Sequence, residues 1–134
     1  MNRADFQQLT EIRLREGHVL LGAGFPDGAY YLTGYAVECA LKACIAKRTQ
    51  QFDFPDKKLV NESHTHNLKA LLELAELRDE LNVASIEVRN RWLIVQDWSE
   101  ASRYQHHEER RARSLLEAVE DQSGGVLPWI RQRW

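Results

Sequence analysis

Few covalent or conformational constraints are built into this chain: 2 cysteines, 3 prolines and 7 glycines in 134 residues. Two cysteines cannot staple a disulfide scaffold, and a domain of roughly 100–150 residues can bury a full core without one. No stretch free of Asp, Glu, Lys and Arg exceeds ten residues, whereas a membrane span needs about 20 mostly apolar residues. Neither sign of charge dominates: 18 basic residues against 20 acidic ones leave a net charge of -2. That balance argues against the broad basic surface of a general duplex binder, while a local basic pocket stays open. Met1-Asn2-Arg3-Ala4-Asp5 leads straight into an amphipathic pattern with no signal-peptide core. Strand-like alternation is missing, as are a Walker loop, a Cys-x-x-Cys pair, His-Glu-x-x-His and Gly-x-Ser-x-Gly. These absences predict a single cytoplasmic domain over residues 1–134 with no membrane segment.

Helical periodicity fills most of the chain. Phe6, Leu9, Ile12, Val19 and Leu20 mark a first helix over Asp5 to Leu21, with one wet side. Gly22-Ala23-Gly24-Phe25-Pro26 breaks it, and Asp27 is the expected N-cap of a second helix over Gly28 to Lys47. That second helix is apolar in nearly every direction; Gly34, Glu38 and Lys42 form its one interrupting row. A helix apolar on most sides is buried on most sides, as a central helix, a dimer interface, or both. Tyr31, Tyr35, Leu41 and Ile45 are the residues expected at such an interface.

Thr49 to Ser63 reads as a loop pinned by Phe52 and Phe54, and Leu68 to Leu77 as a third helix. A fourth spans Val83 to Asp97, Ser99 to Gln105 is a turn, and a fifth runs from His107 to Asp121. Val126 to Trp134 forms a short final helix. The fold class is all-α: an up-and-down antiparallel bundle of four to five main helices plus a short C-terminal one.

Chemistry must come from weaker signals. Glu38 and Lys42 make either an i, i+4 ion pair on a wet edge or a polar pair at a cleft between subunits. Ser102-Arg103-Tyr104-Gln105-His106-His107, followed by Arg110, Arg111 and Arg113, concentrates the basicity of the chain. Arginine forks match phosphate oxygens and tyrosine stacks on bases, although Glu108 and Glu109 offset part of that charge. Arg103, Tyr104, His107 and Arg110 are therefore candidate nucleotide- or RNA-binding residues. His64-x-His66 lacks the neighbours that would complete a metal set, so it reads as the lead-in to the third helix, and no metal or cofactor is expected. Cys39 and Cys44 lie roughly 140° apart around a helix, which suits two buried reduced thiols. Trp92, Trp98, Trp129 and Trp134 read as core or interface residues.

Gly28-Ala29-Tyr30-Tyr31-Leu32-Thr33-Gly34-Tyr35-Ala36-Val37-Glu38-Cys39-Ala40-Leu41-Lys42-Ala43 resembles the second-helix signature of the HEPN domain (higher eukaryotes and prokaryotes nucleotide-binding). Phe54-Pro55-Asp56-Lys57-Lys58, His66-Asn67-Leu68 and Trp98-Ser99-Glu100-Ala101-Ser102-Arg103-Tyr104 extend the likeness over roughly residues 4 to 134. The resemblance implies a helical bundle that dimerises through its central helices. It also implies a nucleotide or RNA ligand and a minimal nucleotidyltransferase partner in a toxin–antitoxin or defence system. Ribonucleases of the family carry Arg, four to six residues, then His on one helix. The arginine would steady the scissile phosphate, and the histidine would act as acid or base for the ribose 2′-hydroxyl. Here Arg103 is followed by His106 and His107 after two and three residues, and Arg89 or Arg91 leads to Val95, Gln96 and Asp97. The motif is not intact. A binding module is the reading that follows, and the resemblance adds Glu38, with Lys42 beside it, to the candidate nucleotide- or RNA-binding residues as polar neighbours of Arg103. A metal-independent ribonuclease using Arg103 with His106 or His107 is the alternative, and a structural adaptor the third.

Overall fold

The computed structural model describes residues 1–49, 54 and 56–134. Among the described residues, eight α-helices and one 3₁₀ helix follow one another with no strand, and the all-α bundle is as expected. Helix α1 (Arg3–Gly22) starts from a reciprocal cap: Asn2 Oδ1 accepts from the Asp5 amide while the Asp5 carboxylate accepts from the Asn2 amide. Three residues later α2 (Pro26–Arg48) begins. Its N-cap is Phe25, without a side-chain cap bond, and Pro26 supplies the first turn. The expected Asp27 cap is thus corrected: that carboxylate lies inside the helix and is used elsewhere.

A short connection forces α1 and α2 into an antiparallel pair, and Gly17 lets them approach. A Cβ at Gly17 would lie 2.6 Å from Thr33 Oγ1, so the two backbones are nearly in contact there. On its other faces α2 meets α4 (Leu68–Leu74), the 3₁₀ helix (Glu100–Tyr104), α7 (Glu109–Glu120) and α8 (Val126–Arg131). Ala36, Val37 and Leu41 of α2 are fully buried among Leu71, Val95, Val119, Leu127 and Ile130. The central position of the second helix is met within a single chain. Cys39 and Cys44 are buried free thiols.

Two elements depart from expectation. The segment read as a loop carries α3 (Lys57–Glu62), started by Asp56, whose carboxylate accepts from the Lys58 and Leu59 amides. Phe54 is 99% exposed and pins nothing, while Phe52 and Pro55 lie outside the described residues. The expected third helix stops at Leu74, because Glu76 adopts a left-handed φ of 58°. A separate short helix, α5 (Arg78–Asn82), follows it and precedes α6 (Ile86–Val95), where Ser85 caps the Val88 amide. Trp92, Trp98 and Trp129 are buried, as anticipated for core aromatics. No described helix is long and apolar enough to cross a membrane.

Candidate functional site

The 3₁₀ helix is the element where the sequence candidates gather, and three anchors hold it. The first is Trp98, just before it. Its indole sits over Gly34 so closely that a Cβ there would lie 2.2 Å from the ring. Glycine at that position is what lets the tryptophan seat against α2. Tyr31 continues the stack, 6.0 Å from Trp98 and 6.1 Å from Tyr35.

The second anchor is a polar chain that begins inside α2. Glu38 is 1% exposed. Its Oε1 accepts from Lys42 Nζ at 3.0 Å and from His66 Nδ1 at 2.9 Å. His66 Nε2 then reaches Glu100 Oε2, on the 3₁₀ helix, at 3.3 Å. The ion pair read from the i, i+4 spacing is present, but it is buried rather than on a wet edge. The two unforeseen members are His66 and Glu100. A cleft of about 470 Å³ opens beside them, lined by Asn67, Lys69, Gln96 and Asp97 as well. Glu38 and Lys42 also line a larger, mostly apolar cleft of about 1080 Å³ between α1, α2 and α3.

The third anchor lies at the far end. Asp27 accepts from the His107 amide at 2.5 Å and from His106 Nδ1 at 2.8 Å. These bonds, the His107 amide first, hold the Asp27 carboxyl below its ordinary value. The His107 ring stacks on Tyr30 at 4.0 Å, and its Nε2 donates to the Ser102 carbonyl at 3.2 Å. Arg111 covers the same tyrosine, 5.1 Å from the ring centroid.

These anchors divide the sequence candidates. His107 is buried and committed to the fold, so it is withdrawn from the surface. The His106 side chain is fully exposed but leans on Asp27. Arg103 and Tyr104 are exposed, with the guanidinium 4.9 Å over the ring. Tyr104, then Tyr31, hold the Arg103 guanidinium and push its pKa up. Arg110 is exposed on the first turn of α7. No hydrogen bond or ion pair joins Glu38 to Arg103; the Glu38–His66–Glu100 chain ends at Glu100, and Arg103 lies one 3₁₀ turn beyond it. Of the expected interface residues, Tyr31 and Tyr35 are half-buried, whereas Leu41 is 0% exposed and Ile45 is buried within the chain's own core. Leu41 has no exposed surface to offer a second copy, while Ile45 lines the larger cleft.

Burial pushes the Cys39 thiol up to about 12 and the Cys44 thiol up to about 11, so both are held protonated; that they are buried and unpaired is as read from the sequence. No His, Cys, Asp and Glu among the described residues cluster in a way that could hold a metal ion. The family model for the HEPN domain matches residues 10–123. No curated protein and no solved structure gives a significant match.

Proposed function

Because this chain belongs to the HEPN domain family, we propose that it is a nucleotide- or RNA-binding module whose ligand-facing element is the 3₁₀ helix. One observation carries the reading. Arg103 and Tyr104 are exposed and stacked on each other on a short element anchored at both ends. A guanidinium is suited to a phosphate and a tyrosine ring to a base, and a held backbone lowers the ordering cost of presenting them. Arg110 extends the basic edge, and the overall charge of -2 keeps recognition local.

Binding of a short single-stranded RNA, followed by fluorescence anisotropy, tests this. Tyr104→Ala should weaken binding by roughly 5- to 100-fold, the range of one lost base stack. Arg103→Ala should weaken it and lower the salt dependence by about one phosphate contact. Unchanged binding in both variants, or none in the wild type, overturns the reading.

The working unit we propose is a homodimer alongside a nucleotidyltransferase partner in a prokaryotic toxin–antitoxin or defence system. Half-buried Tyr31 and Tyr35 are the expected α2 residues with surface to contribute to the dimer contact. Sedimentation of the pure protein as a strict monomer removes the dimer. Failure of a nucleotidyltransferase to co-purify at native expression levels removes the partner. The ribonuclease alternative loses support from the burial of His107. An adaptor reading draws on the exposed Val83, Ile86 and Leu93. RNA binding with a Tyr104 dependence discriminates against it.

A further inference from the structure

His66 is, among the described residues, the histidine with a carboxylate at both ring nitrogens: Glu38 at Nδ1, 2.9 Å, and Glu100 at Nε2, 3.3 Å. His18 meets one carboxylate, Glu120, and His106 meets one, Asp27. His107 gives its Nε2 to a carbonyl. An ionised carboxylate only accepts, and a neutral imidazole carries a single N–H. The Nδ1 contact is a hydrogen bond and the Nε2 contact an ion-pair approach, and only a ring that holds two protons attracts both carboxylates. In the neutral ring, one nitrogen turns a lone pair toward a carboxylate oxygen.

The two contacts are unequal. Glu38 is 1% exposed and cannot turn to water, whereas the Glu100 side chain is 44% exposed. The last proton therefore stays on Nδ1, and the contact that fails is the one to Glu100. We infer that His66 is a proton-dependent latch, its imidazolium tying the 3₁₀ helix to α2 and its neutral ring releasing Glu100.

The other charges facing this ring come from each neighbouring element. Lys42 of α2 shares Glu38 Oε1 and weakens that carboxylate's hold. Lys69 of α4 and Asp97, beyond α6, line the same cleft, and Arg103 follows Glu100 on the 3₁₀ helix. At the far end, His106 needs only one N–H to reach Asp27, so that anchor survives in the neutral ring. Release is confined to the end that carries Glu100. Its consequence for a ligand at Arg103 and Tyr104 rests on the binding reading; the latch itself does not.

Amide hydrogen exchange of the full chain reads it directly, as protection over the intrinsic rate for Ser102 to Gln105. The comparison spans about pH 5.5 to 8. Wild-type protection should fall by about threefold as pH rises, the scale of one partly exposed charged contact. Glu100→Gln should make protection flat with pH, because an amide both donates and accepts and so pairs with either form of the ring. His66→Ala should lower protection at both ends, and His106→Ala should keep the pH dependence. A pH-independent wild type, or a dependence that survives in Glu100→Gln, overturns the latch. Absent RNA binding with the exchange pattern intact overturns the binding reading alone.

Discussion

A single carboxylate at Asp27 closes the 3₁₀ segment onto the first turn of α2, and its two bonds have a pH signature. The Asp27 pKa lies below its ordinary value of 3.8, through the His107 amide first and the His106 ring second. Its contribution to stability is present above that ordinary value and is lost as pH falls through the lower, folded value. Asp27→Asn should therefore melt earlier than wild type at neutral pH, with the gap closing in strong acid. Thermal unfolding followed by circular dichroism from about pH 2 to pH 7 measures this, over the span in which carboxylates titrate. A gap that is constant with pH contradicts the assignment. The same residue shows a limit of sequence reading. Next to a Gly-rich break, Asp27 looks like a cap; Pro26 had already begun the helix, and the partners of the carboxylate lie far along the chain.

At the scale of the element, the 3₁₀ helix owes its place to a notch. Gly34→Ala puts a methyl group into the Trp98 ring, and overpacking of this kind costs about 1–3 kcal/mol. The variant should show a lower unfolding midpoint in urea and altered tryptophan fluorescence. Wild-type values for both would mean that Trp98 is not seated there. Helices with a long periodic face (α1, α6 and α7) were legible because burial imposes a period on sequence, and α2 was legible because burial on all sides made it apolar throughout. The short helices α3 and α5 were not. Five or six residues cannot display a period, and α3 has no fully buried residue, only Leu59 resting partly against the core. Its start, Asp56, carries a capping signal that is visible only in hindsight.

At the scale of the whole molecule, α2 does two jobs: it fills the core and it holds the site. Its cysteines report the first. With both thiols buried and their pKa values pushed up to about 12 and about 11, the native chain should resist a thiol reagent at about pH 8. In denaturing urea both should label. Rapid native labelling of either contradicts the central packing of α2. Its two acidic residues report the second job. The Glu38–Lys42 pair was readable because it is local, whereas His66 and Glu100 join it across 28 residues and more, a relation that periodicity does not encode. One consequence follows from the two carboxylates that face this segment. Asp27 and Glu38 stand eleven residues apart on one rigid rod, about 16 Å at the helical rise. Asp27 directly, and Glu38 through His66, act as the jaws of a caliper whose gap the chain from Glu100 to His107 spans. Added length in that interval cannot move the jaws. A single inserted residue must instead bulge outward at Arg103 to Gln105, the stretch that faces solvent.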